Sequence, residues 1–174
     1  MSPDFTTDGF ITEPLAKHHD RAAFSCGASE LDQYLREQAR QDARRNVAAP
    51  FVLCQRGRRQ VIGFYTLSAT SADLGELPAE IARKLPHYPE VPAFLLGRLA
   101  VHGEHAGSGL GKRLLVDALR RCWEQSARIA AALVIVDARD EQAAMFYQHF
   151  GFQRFFDRRE RLFLPMHTVA DLFR

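Results

Sequence analysis

A glycine-rich turn between a predicted buried strand and a predicted amphipathic helix constrains the fold of this chain more than any other feature. The apolar run at residues 93–101 predicts the strand, and the turn reads Ala106-Gly107-Ser108-Gly109-Leu110-Gly111-Lys112. The apolar residues that follow share one side of a helix: Leu110, Leu114, Leu115, Ala118, Leu119 and Cys122. Glycine lets a backbone approach a ligand closely, and the first N–H groups of a helix have no partner within it. The segment therefore predicts an anion site, with phosphate as the expected ligand.

The spacing of this turn excludes two common phosphate-binding patterns. A P-loop needs a glycine five residues before its Gly-Lys pair and a hydroxyl after that pair, but these positions hold Ala106 and Arg113. A dinucleotide-binding fingerprint needs a third glycine, and the required position is not glycine when counted from either Gly107 or Gly109. A tight turn without a ligand remains the structural alternative.

A second strand and helix are predicted further along the chain. Residues 131–136 form a continuous apolar run of the kind found in central strands. Asp140 is suited to cap the helix that follows, and Gly151 is suited to end it in the left-handed conformation. This helix carries Phe146 and Tyr147 next to each other. The chain thus repeats the order strand, turn and helix.

Together these segments resemble the GNAT N-acetyltransferases. Their pyrophosphate loop has Arg or Gln, two residues, Gly, one residue, then Gly or Ala; Gly109 and Gly111 match, whereas Ala106 departs from the pattern. Residues 143–152 resemble the A-x-x-F-Y-x-x-x-G-F segment of the same superfamily, and the resemblance covers residues 93–153. It implies an acetyl-CoA-dependent transferase with an α/β fold, in which a central mixed, mostly antiparallel twisted sheet has helices on both faces.

The resemblance also implies roles for individual residues. Acetyl-CoA is expected to contact the backbone of one strand and the glycine turn, at Leu99, Ala100, Val101, Gly107, Ser108, Gly109, Leu110, Gly111 and Lys112. Tyr147 matches the tyrosine that protonates or orients the departing thiolate, and a core aromatic is the alternative. The glutamate that many such enzymes carry on the strand ahead of the loop is missing, because the segment from Gly97 to Val101 has no acid and the next one is Glu104. This fits an α-amine substrate, whose pKa is about 7.7 to 8.0 against about 10.4 for lysine.

Length and composition favour a single enzyme domain. The chain has 174 residues and a formal net charge of +2 at pH 7, and a chain of this size buries about two-thirds of its unfolded surface. We expect one domain over residues 1–174, with residues 1–9 flexible and residues 166–174 as a C-terminal extension. A signal peptide and a long apolar run are both missing, so we expect a cytoplasmic protein without membrane contact. The seven histidines have no ligand-like neighbours in the sequence, and no metal is expected.

The front half predicts three strands and a helix that carries positive charge. The strands are expected at residues 10–15, 50–55 and 61–71. Gly57 lies in the hairpin turn between the last two, and Ser29 is expected to cap the helix. An arginine recurs at every fourth position of the helix and predicts a basic stripe: Arg36, Arg40 and Arg44. A solvated helix face is the alternative interpretation.

The front half further resembles the GNAT toxins of bacterial toxin-antitoxin systems. The resemblance is carried by Phe24-Ser25-Cys26-Gly27 with Leu31, Leu35 and Ala39, by residues 64–68, and by Arg98-Leu99-Ala100-Val101. It extends over residues 10–165 and implies acetylation of the free α-amine of aminoacyl-tRNA, which blocks translation. It also implies a ribbon-helix-helix antitoxin, with operator DNA bound through that antitoxin, and a homodimer.

Clustered arginines are the expected contacts for the tRNA backbone, because the net charge is low. The candidates are Arg36, Arg40, Arg44, Arg98, Arg158 and Arg159. For Arg98 a buried ion pair is an equal alternative. Residues 162–165 are expected to add an edge strand and residues 168–173 a short helix, which serve either a dimer or antitoxin contact or plain packing. Two alternative functions stay open: acetylation of a small amine or a protein N-terminus, and a non-catalytic acyl-CoA-binding or corepressor role.

Overall fold

The computed structural model of the chain describes residues 9–156 and 158–174, so residues 1–8 of the segment expected to be flexible lie outside the described residues. The strands are β1 Phe10–Pro14, β2 Ala49–Gln55, β3 Gly63–Asp73, β4 Glu90–Val101, β5 Leu133–Asp137, β6 Gln153–Phe155 and β7 Arg158–Pro165. The helices are α1 Ser29–Gln33, α2 Ala39–Arg44, α3 Ala79–Ala82, α4 Leu110–Ser126, α5 Glu141–His149 and α6 Met166–Asp171.

The strands form a 7-stranded sheet in the order β1-β2-β3-β4-β5-β7-β6. The pairs β1 with β2, β2 with β3, β5 with β7, and β6 with β7 are antiparallel. The pair β4 with β5 is parallel and therefore needs a crossover connection, which α4 supplies. The predicted mixed, mostly antiparallel sheet is confirmed.

The chain divides into two compact units. The first comprises Met1–Ser68 and Gly97–Ala118, and the second comprises Ala69–Leu96 and Leu119–Arg174. The core of the first unit is built around Phe24, Leu35 and Phe64, and that of the second around Ile135 and Phe163. That the whole chain acts as one domain stays a prediction.

A π-turn interrupts the helix of the first unit. The π-turn spans Tyr34–Gln38 and joins α1 to α2. A π-turn holds more residues than an α-helical turn, and that Arg36, Arg40 and Arg44 form one basic stripe stays a prediction. The expectation that Ser29 caps this helix is wrong, since Ala28 is the N-cap and makes no side-chain bond. The carboxylate of Asp32 instead turns back and accepts the Cys26 N–H at 2.9 Å.

Two strands differ from the sequence expectations. β3 begins at Gly63 rather than residue 61, and before it the N–H groups of Val61 and Ile62 bond to the carbonyls of Asp20 and Leu53. The C-terminal strand was expected at an edge, but β7 pairs with β5 on one side and β6 on the other. The short β6 forms a hairpin with β7 and so becomes the edge in its place. The predicted short helix near the C-terminus is confirmed as α6, and it buries Val169 within the second unit.

Candidate active site

The glycine turn of the first unit has the backbone that an anion site needs. Gly107 and Gly109 have φ angles of +77° and +83°, which side chains rarely adopt. A Cβ added at either position would meet open space, so glycine is required here for conformation and not for room. The N–H of Arg113 bonds to the Gly109 carbonyl at 3.1 Å, and the N–H groups of the preceding helical residues point out of the helix start. Residues 106–109 of the turn are exposed.

Close packing fixes the start of α4 beside the end of β4. A Cβ on Gly63 would lie 2.9 Å from the Leu114 side chain and 3.2 Å from the Ala100 carbonyl oxygen. Leu114 is fully buried and Ala100 is buried too. Strand β3 therefore packs against Ala100 and Leu114 at a point where even a Cβ would be crowded. This packing brings together the predicted thioester strand, residues 99–101, and the predicted pyrophosphate turn within the first unit.

A buried histidine anchors the loop between β4 and the turn. His102 Nδ1 accepts the Glu104 N–H at 3.1 Å, and Nε2 lies 3.1 Å from the Ala23 carbonyl oxygen. Because Nδ1 acts as the acceptor, Nε2 carries the proton and donates it to Ala23. The next residue, Gly103, donates its N–H to the Ser25 carbonyl at 2.8 Å. His102 is thus a neutral structural residue that ties the loop to residues 23–25, a link that no sequence pattern indicated.

Tyr147 lies in the second unit, on α5. The Asp140 carboxylate accepts the Ala143 N–H at 2.8 Å and caps this helix, and Gly151 ends it with a φ of +96°, as predicted. The Tyr147 side chain is buried and its ring packs edge-on against Phe152, with centroids 5.5 Å apart. Burial raises the pKa of the Tyr147 phenol above its ordinary value. Among the described residues its hydroxyl makes no hydrogen bond, so the phenol is a neutral donor that a ligand can use.

Arg98 takes part in a side-chain network with the π-turn. Its guanidinium carbon lies 3.6 Å from the centroid of the Tyr34 ring, within cation-π range. The Tyr34 hydroxyl donates to Asp42 at 2.9 Å. The hydrogen bond from Gln38, then that from Tyr34 and the charge of Arg98, lower the pKa of Asp42. The structure thus gives Arg98 a stacking partner within the first unit, and its role in tRNA binding stays a prediction.

The comparison with known proteins agrees with this geometry. A family model described as an acetyltransferase (GNAT) domain matches residues 48–154, which include β4, the glycine turn and the segment around Tyr147. The chain belongs to the GNAT acetyltransferase family. A relative of this acetyltransferase from Mycobacterium tuberculosis, named tRNA-acetylating toxin, is 38% identical over 134 residues, which are 77% of this chain and 78% of the relative.

Two solved toxin structures are similar to the acetyltransferase over nearly its whole length. AtaT complexed with acetyl-methionyl-tRNAfMet has a TM-score of 0.88 and 28% identity, covering 95% of this chain and 99% of that chain. A tyrosine-to-phenylalanine mutant of AtaT bound to the C-terminus of the antitoxin AtaR and acetyl-CoA has a TM-score of 0.82 and 26% identity, with coverages of 95% and 99%. The predicted fold, acetyltransferase class and use of acetyl-CoA are confirmed.

The arginines expected to bind tRNA lie in both units. In the first unit Arg36 and Arg44 are exposed and Arg40 is half-buried. In the second unit Arg158 is exposed and lies 3.6 Å from a carboxylate oxygen of Glu76. The side chain of Arg159 lies outside the described part of the acetyltransferase. No described helix has both the length and the apolar character that a membrane span needs.

The sequence did not indicate one cluster of a glutamate and two histidines, because the glutamate lies in β1 and the fold of the chain after β1 brings the histidines to it. Glu13 Oε1 lies 2.8 Å from His19 Nε2 and 3.8 Å from His18 Nε2. His19 Nδ1 accepts the Ala16 N–H at 2.9 Å, so the ring proton is on Nε2 and points to Glu13. The cluster in the acetyltransferase is therefore a hydrogen-bonded pair with a neighbouring exposed histidine.

Proposed function

We propose that this acetyltransferase moves the acetyl group of acetyl-CoA to the free α-amine of aminoacyl-tRNA and thereby blocks translation. The observation that carries the proposal is the 38% identity to a tRNA-acetylating toxin over 77% of the chain. The end of the strand before the glycine turn adds support, because residues 97–101 hold no glutamate to deprotonate a lysine amine, and the next acid is Glu104. An α-amine, with a pKa of about 7.7 to 8.0, needs no such base near neutral pH.

The reaction requires few groups from the protein. The neutral amine attacks the thioester carbonyl carbon, a C–N bond forms and the C–S bond breaks, while nitrogen loses one proton and sulfur gains one. Backbone N–H groups of residues 99–101 are assigned to the developing oxyanion. Tyr147 donates its hydroxyl proton in a hydrogen bond to the departing sulfur, and its raised pKa keeps the phenol protonated. The helix start at residues 107–112 holds the pyrophosphate of coenzyme A.

The decisive assay compares radiolabelled acetyl transfer to charged and uncharged tRNA. We expect label on charged tRNA alone, because only that RNA carries an α-amine. Label on free amines or peptide N-termini, with charged tRNA unlabelled, would favour the small-amine alternative. Binding of acetyl-CoA without transfer to any amine would favour the non-catalytic alternative.

A tyrosine substitution tests the chemistry. Tyr147→Phe removes one hydroxyl from a buried ring, so we expect turnover to fall by about 10²- to 10⁴-fold while acetyl-CoA binding is kept. Tyr88→Phe is the matched control, since that side chain is 66% exposed and has no assigned role. Equal turnover of the two variants contradicts the role of Tyr147.

The partners follow from the toxin assignment. We propose that a ribbon-helix-helix antitoxin binds and silences the acetyltransferase and carries it to operator DNA, and that the chain forms a homodimer in the cytoplasm. The similarity to a toxin solved with the C-terminus of its antitoxin supports the first point. Co-expression with the neighbouring reading frame, followed by light scattering of the free and bound enzyme, tests both the complex and the dimer.

A further inference from the structure

An open depression in the first unit lies beside the π-turn. Its volume is about 340 Å³, and it is lined by His19, Asp20, Arg21, Ala22 and Arg36. Two of the five lining side chains are therefore guanidinium groups. Arg21 was not singled out by the sequence, because it lies in the loop before the helix rather than on the predicted stripe.

Both guanidinium groups are held in place by backbone carbonyls. Arg21 donates through Nη1 to the Leu35 carbonyl at 3.0 Å and to the Arg36 carbonyl at 3.3 Å, both in the π-turn. Arg36 donates through Nη1 to the Phe24 carbonyl at 2.8 Å. A guanidinium has five N–H donors, so each arginine keeps most of its donors for a ligand. Fixing them in advance lowers the entropy that binding would otherwise lose.

The local charge is positive and is not balanced by ion pairs. Among residues 9–156 and 158–174, the structure shows no salt bridge from Arg21, Arg36 or Arg40. Burial, and then the charge of Arg40, lower the pKa of Arg21, which means that Arg40 is close enough to repel it. Asp20, the acid at the rim, uses one carboxylate oxygen to accept the Ala22 N–H at 3.0 Å. An anion in the depression would relieve the repulsion between the arginines.

We propose that this depression binds one phosphate group of the tRNA backbone, held by Arg21 and Arg36. The inference rests on the proposed tRNA substrate and deepens it, by selecting two arginines and adding one that the helix stripe omits. Forked guanidinium groups match the oxygens of a phosphodiester, whereas a lysine would offer only a point charge. The π-turn is the device that creates the site, because its carbonyls orient Arg21.

Binding of uncharged tRNA to the full chain at several salt concentrations tests the site without acetyl transfer. The variants are Arg21→Gln with Arg36→Gln, which removes both guanidinium groups and keeps polar side chains, and Arg128→Gln as a control at an exposed position in the second unit. We expect the double variant to bind about tenfold or more weakly, the ratio that one charge-assisted hydrogen bond is worth. The slope of log K against log salt should become shallower by about the amount that one phosphate contact contributes.

Each outcome either supports the proposed phosphate site or overturns it. A double variant with the affinity and salt slope of Arg128→Gln, or a full chain that does not bind tRNA, overturns the site. If the double variant binds tRNA like the parent but binds the antitoxin peptide more weakly, the site is also overturned, because the depression would then bind a protein. Circular dichroism checks the fold, and Arg21→Lys should bind tRNA more weakly than the parent because it keeps charge but loses the fork. Acetylation of charged tRNA by the parent is measured separately, so failure of the proposed function is distinguishable from failure of the site.

Discussion

Replacing Gly63 by alanine tests whether close packing at the start of β3 holds the candidate site together. The added Cβ would lie 2.9 Å from Leu114 Cδ1, 3.2 Å from the Ala100 carbonyl oxygen and 3.6 Å from Leu53. The Cδ1 atom is at the end of the Leu114 side chain and can rotate away, but that side chain is fully buried. The contact with Ala100 is with its backbone oxygen. One of these groups must move, and overpacking of this kind costs about 1 to 3 kcal/mol.

Urea unfolding measures this loss, with Gly75→Ala as the matched control. Gly75 is exposed and a Cβ there meets nothing within 4 Å, so the same substitution should leave the free energy of unfolding unchanged or raise it by about 0.4 to 1 kcal/mol. Because Ala100 belongs to the proposed thioester strand, Gly63→Ala should also raise the KM for acetyl-CoA. Equal free energies of unfolding for the two variants would refute the packing argument.

Three further predictions follow from single contacts. Asp140→Ala removes the cap of α5, so it should lower the free energy of unfolding by about 1 kcal/mol, measured in urea. His102→Ala leaves the Ala23 carbonyl and the Glu104 N–H without their partner. It should lower the free energy of unfolding by about 1 to 3 kcal/mol and raise the KM for acetyl-CoA. His87→Ala, at an exposed position, should change neither quantity. The rate of transfer should rise with pH up to about pH 8, as the α-amine loses its proton. It should then stay constant up to about pH 10, because Tyr147 acts in its protonated form and burial raises its pKa. A decline of the rate between about pH 8 and 10 contradicts that role.

Periodicity predicted the elements whose physics is local. The strand before the glycine turn, α4, and α5 with its Asp140 cap and Gly151 end each depend on a few neighbouring residues, and all are found in the structure. Elements that depend on long-range pairing were predicted less well. The interior position of β7 follows from β6 pairing on its far side, and nothing in the local sequence of β7 indicates that neighbour.

The candidate site was predicted where glycine or a capping carboxylate leaves a trace in the sequence. The left-handed angles of Gly107 and Gly109 are such a trace. The basic stripe of Arg36, Arg40 and Arg44 stays a prediction, and the π-turn within it was not predicted because a π-turn has no periodic pattern of its own. Arg21 was missed for a related reason, since its contacts with the π-turn carbonyls span 14 and 15 residues.

The sequence Phe24-Ser25-Cys26-Gly27 illustrates how a family resemblance can reflect backbone geometry rather than chemistry. Phe24 is buried against Phe64 and His102, and Gly27 has a φ of +90°. Three consecutive carbonyls, at residues 23–25, accept hydrogen bonds from His102, from Arg36 and from the Gly103 N–H. His102 and Gly103 belong to the loop before the pyrophosphate turn, and Arg36 belongs to the π-turn. The carbonyls of residues 23–25 therefore hold both that loop and the π-turn in place. A change in this segment should therefore weaken acetyl-CoA and tRNA binding together, although none of its side chains is assigned to either ligand.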